Sequence, residues 1–223
     1  MDARGGPLPR YYPVFIDVTE RTCVVIGGGN IGQEKVEKLL ESDANVLVIS
    51  PAVNKKVQDL ADAGSIAWER RKYRPGDLQD AFIAIAATND NTVNRQIADE
   101  AHERNVLLNV VDVTHLCTFI APSVARRGEV TIATSTGGAS PALARTFREK
   151  LTSSRILEYA DLAPVLAGAR AELRAASLVV KPDHWQTQIT EELLDMVQAG
   201  KTDEARQKLM DGLISGATPT AAS

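Results

Sequence analysis

The stretch VVIGGGNIGQEK, residues 24–35, decides how this chain folds. Its three glycines have the spacing G-x-G-x-x-G, directly after a β-branched run and at the start of a helical pattern. Glycines in such a turn let the backbone approach a pyrophosphate, and the amides at the helix start attract the anion. We therefore predict a dinucleotide-binding turn; the alternative is a turn that only packs a helix against a strand. The expected cofactor contacts are Gly27, Gly29, Asn30, Ile31 and Gly32.

Short β-branched runs alternate with helical patterns from Thr22 to Val111, which is typical of parallel strands joined by helical crossovers. The predicted strands are TCVVI, NVLVIS, SIAWE, AFIAIAAT and VLLNVVD. We expect PVFIDV, residues 13–18, to add an edge strand. The predicted fold class is α/β, with a Rossmann-like parallel sheet domain over residues 1–121.

The pattern changes beyond Phe119. CTFIAPSV and GEVTIATST predict two strands, and the helix PALARTFREKLTSS follows, with Ser140 as its cap and Pro141 as its first residue. The rest of the sequence is rich in helical patterns and contains no convincing strand. We expect a small segment over residues 122–154 and a helical C-terminal domain over residues 155–223.

The charge and cysteine content disfavour several classes of protein. The 223 residues carry 25 Lys and Arg against 29 Asp and Glu, a net charge of -4, which disfavours a broad nucleic-acid surface. The two cysteines are too few for a disulfide framework or a thiolate metal cluster. No apolar run is long enough to span a membrane, and the N-terminus lacks the apolar segment of a signal peptide. We expect a cytoplasmic protein with no resident metal and no nucleic-acid or membrane partner.

The end of the second predicted strand lacks an expected acid. A dinucleotide fold usually places Asp or Glu about twenty residues after the glycines, to bind the ribose hydroxyls. Ser50, Pro51 and Ala52 stand there instead, so weaker hydrogen bonds or backbone groups must bind the 2′-hydroxyl. Because no arginine stands at this strand end to bind a 2′-phosphate, NAD is favoured over NADP.

The end of the fourth predicted strand supplies two more candidate contacts. Thr88 and Asn89 follow AFIAIAA at a carboxyl strand end, where open parallel sheets bind their ligands. Asn91 is a candidate cap for the next helix. Capping and cofactor contact are compatible here.

The run NVVDVTHLC, residues 109–117, ends a predicted buried strand with a carboxylate. Near a bound nicotinamide, Asp112 is placed to accept a proton as a hydride leaves the substrate. His115 is a candidate proton shuttle because imidazole exchanges protons near neutral pH. The alternatives are that Asp112 caps the following turn and that His115 is a surface or structural histidine.

The run ATSTGGASPALAR, residues 133–145, places hydroxyls and two glycines before a helix start, a combination that favours an anionic group. Arg145 and Arg148 follow on the predicted helix, so carboxylates are candidate ligands there. The alternative is a solvated helix face. The candidate substrate contacts are Ser135, Thr136, Gly137, Gly138 and Arg145.

Four motifs, taken in order, resemble one family. VVIGGGNIGQEK, AIAATNDNTVN, NVVDVTHLCTFIAPS and ATSTGGASPALARTFREKL are similar to those of precorrin-2 dehydrogenase, the NAD-dependent enzyme of siroheme biosynthesis. The sequence resembles both the stand-alone dehydrogenases and the amino-terminal half of multifunctional siroheme synthase, most closely over residues 11–155. Four ordered motifs are more specific than any one of them.

The resemblance implies that precorrin-2 is oxidised to sirohydrochlorin with NAD+ as hydride acceptor and, in some members, that Fe2+ is then inserted to make siroheme. It also implies a homodimer in which residues 122–154 exchange between subunits. Asp112 stands where the family has its essential carboxylate, and the resemblance implies that Ser50, Pro51 and Ala52 contact the cofactor. The family's S-S-G-G segment reads S-T-G-G at residues 135–138, so a role that needs a hydroxyl survives and one that needs a second serine is open.

Two other functions are open at the level of the sequence. One is an NAD-sensing regulatory domain, which would bind NAD without chemistry and would not need the NVVD and STGGASP motifs. The other is a chelatase or tetrapyrrole-binding protein that has lost dehydrogenation. Metal insertion without NAD+ separates the second from a dehydrogenase.

Overall fold

The β-branched run after Arg21 forms the central strand of a parallel sheet in the computed structural model, which describes residues 10–219. The five strands are β1 (Thr22–Gly28), β2 (Asn45–Val53), β3 (Ala67–Glu69), β4 (Ile83–Ala86) and β5 (Leu107–Val110). All are parallel, in the order β3-β2-β1-β4-β5. The order reverses between β1 and β4, which places a ligand crevice at the carboxyl ends of these strands. The predicted Rossmann-like fold is confirmed.

Three helices cover the two faces of this sheet: α1 (Asn30–Leu40), α2 (Lys55–Asp62) and α3 (Asn91–Arg104). Val36 of α1 and Val57 of α2 pack with Val25 of β1 on one face. Ile97 of α3 packs with Ile26 of β1 on the other face. Because both faces are buried, the strands read as continuous apolar runs instead of alternating ones.

The expected edge strand at residues 13–18 is wrong, because this segment has no regular structure. Val18 is buried in the core, but the apolar residues just before it are exposed. Pro13 has no amide hydrogen to donate to a neighbouring strand. The outer edge of β5 is also occupied, since the amide of Thr118 donates to the carbonyl oxygen of Leu108 at 2.8 Å.

The chain divides into two compact units. The first contains the described residues up to Ala121 together with Gly137–Ser140, and the second contains Pro122–Thr136 and the described residues from Pro141 onward. The second unit begins with the antiparallel hairpin β6 (Ser123–Arg127) and β7 (Val130–Thr134). It continues with α4 (Pro141–Thr152), a 3-10 segment (Arg155–Leu162), α5 (Ala163–Ala175), β8 (Leu178–Val180), α6 (Pro182–Gln188), α7 (Glu191–Gln198), α8 (Thr202–Ser215) and β9 (Ala217–Pro219).

The helices of the second unit share one apolar core. Leu162, Leu194, Leu209 and Leu213 are fully buried at its centre. The predicted helix start at Pro141 is confirmed, whereas the Ser140 cap stays a prediction. Between residues 10 and 219, no helix is both long and apolar enough to cross a membrane.

One pair of strands in the second unit differs from the expectation of helix alone. β8 and β9 pair in antiparallel register, with Leu178 opposite Pro219. Each strand has three residues, which is too short for the period-two alternation that reveals a strand in a sequence.

A buried carboxylate organises the loop after β3. Glu100 of α3 accepts hydrogen bonds from the hydroxyl of Tyr73, from the amides of Gly76 and Leu78 at 3.0 and 3.1 Å, and from Arg104 Nε at 2.9 Å. Burial works to raise the pKa of Glu100, but these hydrogen bonds outweigh it and hold the pKa below its ordinary value. The charged carboxylate therefore stabilises the folded loop.

We predict that Glu100→Gln lowers the free energy of unfolding by about 1–3 kcal/mol at neutral pH, because charge-assisted bonds are lost inside the protein. A lowered folded pKa gives a stabilisation that is complete above the ordinary glutamate pKa of about 4.3 and fades as the pH falls through the folded-state value. Urea unfolding at about pH 7 and about pH 3.5 should therefore show a difference between wild type and variant that shrinks in acid. Glu103→Gln, on the exposed side of the same helix, is the control. A difference of equal size at both pH values would contradict this role.

Candidate functional site

Two of the three motif glycines are required by packing, and the third faces open space. Gly27 has φ +115°, and a Cβ there would lie 2.3 Å from the carbonyl oxygen of Ala87. A Cβ on Gly32 would lie 2.2 Å from the carbonyl oxygen of Gly27. Around Gly29, by contrast, no atom of the described residues lies within 4 Å of the Cβ position. A glycine without a packing reason is expected where a ligand approaches the backbone.

The first amides of α1 have no side-chain cap. Gly29 is the residue before the helix, and no side chain among residues 10–219 caps it. The next two sheet helices are capped, α2 by Asn54 and α3 by Asp90. Uncapped amides at a helix start form an anion site. Together with the open face of Gly29, they fit the pyrophosphate of a dinucleotide.

The pairing between β1 and β2 is irregular at Ser50, Pro51 and Ala52, near the end of β2. The buried hydroxyl of Ser50 donates to the carbonyl oxygen of Ala52 at 2.6 Å, and Trp68 Nε1 donates to the carbonyl oxygen of Ser50 at 3.0 Å. Pro51 and Ala52 are exposed. The Ser50 hydroxyl can still accept a hydrogen bond from a ribose hydroxyl, since only its proton is committed.

Asn54 is a site residue that the sequence reasoning missed. Its Nδ2 donates to Gln33 Oε1 at 2.7 Å and to Asn30 Oδ1 at 3.2 Å, while its Oδ1 accepts from the amide of Val57 at 3.1 Å. One side chain thus caps α2 and holds the start of α1 beside the end of β2. An Asn directly before a helical pattern was the available signal.

The end of β4 is held by a turn and a buried amide. The Thr88 hydroxyl accepts from the amide of Asp90 at 3.1 Å, and Asn94 Nδ2 donates to the carbonyl oxygen of Thr88 at 3.1 Å. Asn89 is exposed at the tip. The expected cap Asn91 is wrong, because Asn91 is already the first residue of α3. The cap is Asp90, whose Oδ1 accepts hydrogen bonds from two backbone amides at 2.9 and 3.2 Å.

Asp112 lies in a tight turn that β5 leads into. The amide of Val113 donates to the carbonyl oxygen of Val110 at 3.1 Å, and Asp112 at the third position of this turn has φ +60°. Glycine or asparagine ordinarily takes such a position, and strain of this kind gathers at functional sites. Asp112 is exposed, as is His115 in the 3-10 segment Thr114–Leu116 that follows.

The base of this loop is fastened by three side chains. The amide of Val110 donates to Cys117 Sγ at 3.1 Å, the amide of Leu108 donates to Thr118 Oγ1 at 2.7 Å, and Asn109 Nδ2 donates to the carbonyl oxygen of Phe119 at 3.1 Å. Burial raises the pKa of the Cys117 thiol, so Cys117 serves as a neutral hydrogen-bonding group. The loop that carries Asp112 and His115 therefore starts and ends at fixed points.

The predicted substrate contacts fall in different units. Gly137 and Gly138, with φ +63° and +91°, belong to the sheet unit, whereas Ser135, Thr136 and Arg145 belong to the helical unit. Arg145 is exposed on α4 and pairs with Glu149 at 2.7 Å. The substrate-binding role of these residues stays a prediction. Over residues 10–219, no group of three or more His, Cys, Asp or Glu side chains could hold a metal ion.

Comparison with known proteins agrees with this geometry. Residues 14–123 match a family model described as "Putative NAD(P)-binding". The chain is 36% identical to the siroheme synthase of Nitrosomonas europaea over 206 residues and 33% identical to that of Photobacterium profundum over 203 residues, covering 91% and 90% of this chain but 43% of each synthase. It therefore spans less than half of these relatives. The solved structure of SirC, a precorrin-2 dehydrogenase, superposes with a TM-score of 0.71 at 26% identity, over 90% of this chain and 100% of that one.

The chain is thus similar to siroheme synthases and to a precorrin-2 dehydrogenase of known structure. The resemblance stated from the four sequence motifs is thus confirmed, and the family model agrees with the predicted NAD cofactor. The predicted cofactor contacts lie at or just beyond the carboxyl ends of β1, β2 and β4, and Asp112 follows β5, all at the carboxyl edge of one sheet. The role of each of these residues stays a prediction.

We predict that Gly29→Ala folds normally but binds NAD+ at least about tenfold more weakly, since the new Cβ meets only the space that the pyrophosphate needs. The dissociation constant from calorimetric titration and the unfolding free energy measure the two effects. Gly168→Ala, at a glycine inside α5 with equally open surroundings, is the control: it should leave NAD+ affinity unchanged and raise the unfolding free energy by about 0.5–1 kcal/mol. Unchanged NAD+ affinity in Gly29→Ala would show that this turn does not hold the cofactor.

Proposed function

We propose that this chain oxidises precorrin-2 to sirohydrochlorin, with NAD+ as the hydride acceptor. The observation that carries the proposal is Asp112, a strained and exposed carboxylate at the same sheet edge as the open glycine turn. A precorrin-2 dehydrogenase of known structure, 26% identical to this chain, aligns with it over its whole length, which supports the proposal. The curated siroheme synthases extend well beyond the part that this chain covers, so no activity of their remaining length is proposed for it.

The reaction divides between the cofactor and the protein. When bound, NAD+ supplies the electrophilic carbon that takes a hydride from the tetrapyrrole. The substrate loses a hydride and a proton, so precorrin-2 and NAD+ give sirohydrochlorin, NADH and H+. Asp112 accepts the proton and orients the macrocycle, while the fastened loop base keeps the carboxylate in place. His115, on the same loop, passes the proton to solvent.

The substrate carries many carboxylates, so binding requires a local positive surface on a protein of net charge -4. Arg145 and Arg148 of α4 share one acidic partner, Glu149, at 2.7 and 3.3 Å. Two cations against one anion leave a surplus positive charge on this face of the helix. We propose that this surplus binds substrate carboxylates.

Asp112→Asn should fold and bind NAD+ like wild type but lose at least about a hundredfold in the rate of sirohydrochlorin formation. Asparagine tolerates the left-handed backbone as well as aspartate does, so only the charge is removed. The assay is anaerobic conversion of precorrin-2 with NAD+.

Asp43→Asn is the matched control, since Asp43 has φ +56° in the turn after α1, at the opposite sheet edge. Wild-type turnover in Asp112→Asn would remove Asp112 from the mechanism. NAD+ binding by wild type without turnover would favour the regulatory-domain alternative.

We propose iron insertion into sirohydrochlorin as a second reaction of the same cleft. Two pyrrole protons must leave as Fe2+ enters, and Asp112 and His115 lie on one exposed loop as two proton acceptors. Iron is then a substrate, not a resident metal. Insertion of Co2+ or Fe2+ without NAD+ should proceed with wild type and slow in Asp112→Asn. A rate equal to that without protein would refute the second reaction and leave the first intact.

We also propose a homodimer formed through residues 122–154. Leu143 and Phe147 stand one helical turn apart on α4, with 45% and 47% of their surfaces exposed. Exposed apolar residues at this spacing are typical of a surface that another chain covers. Light scattering should give the mass of a dimer for wild type and of a monomer for Phe147→Glu. A wild-type monomer at micromolar concentration would contradict the proposal.

A further inference from the structure

One cation lies close to the strand end where the ribose acid is missing. Arg70 follows β3, and its guanidinium carbon is 4.2 Å from the ring centroid of Trp68. The same indole donates from Nε1 to the carbonyl oxygen of Ser50 at 3.0 Å. One ring therefore separates the Arg70 guanidinium from the position at the end of β2 where dinucleotide folds place their acid.

The stacked geometry leaves the guanidinium able to bind a phosphate. Stacking uses the flat face of the Arg70 side chain, whereas its N–H donors point outward in the plane. Among residues 10–219, no acidic side chain lies within 4.0 Å of this guanidinium. Its donors are thus not consumed by a protein carboxylate.

The nearby acids are neutralised by a different arginine. Arg71 forms paired bonds to the carboxylate of Asp77 at 2.7 and 2.8 Å and also contacts Glu69. Lys72 and Arg74 add two exposed cations to the same loop. Counting Arg70, the loop from residue 69 to residue 77 holds four cations against two anions, so its field attracts a phosphate.

We infer that Arg70 accommodates a 2′-phosphate, so that the site accepts NADP as well as NAD. The inference rests on the proposed dinucleotide site. A carboxylate at the end of β2 would repel the 2′-phosphate, and the neutral Ser50 does not. NAD is favoured by the sequence because no arginine follows β2. In the structure, however, Arg70 follows the neighbouring strand β3.

Calorimetric titration of the full chain with NAD+ and NADP+ tests this inference. Wild type should bind NADP+ with a dissociation constant within about threefold of that for NAD+, and added salt should weaken NADP+ more than NAD+. Arg70→Gln should weaken NADP+ about tenfold and NAD+ less than about twofold. Arg70→Lys keeps the charge without the planar fork, so its loss should be intermediate. Arg170→Gln, at an exposed arginine of α5 away from this loop, is the control and should alter neither affinity.

The outcomes separate this inference from the proposed function. Tight binding of NAD+ with NADP+ at least about tenfold weaker in wild type would overturn the role of Arg70 and leave the dehydrogenase proposal standing. An equal effect of Arg70→Gln on both cofactors would do the same. Failure of both dinucleotides to bind wild type would overturn the inference and the proposed cofactor site together.

Discussion

The approach of β1 to β4 at Gly27 is the constraint on which the site depends. With φ +115° and the carbonyl oxygen of Ala87 where a Cβ would sit, this position admits glycine alone without a shift of the strand ends. The same close approach sets the crevice at the point where the strand order reverses. Gly32 repeats the constraint one turn into α1, which brings the helix amides against the end of β1. The anion site follows from these two contacts.

The proposed proton acceptor lies at the carboxyl end of another strand of the same sheet. β5 ends in a turn whose third position holds Asp112 in a left-handed conformation, and Cys117 with Thr118 fixes the base of the loop. An aspartate there costs more than glycine would, of order 1 kcal/mol. The hydrogen bonds at the base of the loop offset this conformational cost. Such a combination is expected where a carboxylate is retained for its function.

The sequence revealed those features that depend on local pattern. The parallel strands could be predicted because both of their faces are buried, which makes them continuous apolar runs. The glycine turn could be predicted because close backbone contacts fix the spacing of its glycines. The strand at residues 13–18 was not a strand, since pairing depends on whether a sheet edge is free, and no local pattern shows that. The helix cap was misplaced by one residue, from Asp90 to Asn91, because both residue types suit that position. The proximity of Arg70 to Ser50 could not be predicted, because the register between neighbouring strands brings the two residues together whereas twenty positions separate them in the chain.

We propose above all that the dinucleotide binds at one sheet edge, with its reactive ring next to Asp112. A crystal structure of the protein with bound NAD+ tests this claim most directly. The account predicts the pyrophosphate on the amides at the start of α1, beside Gly29, and the nicotinamide ring next to the Asp112 turn. A pyrophosphate bound elsewhere, or a nicotinamide ring that faces away from Asp112, would contradict it.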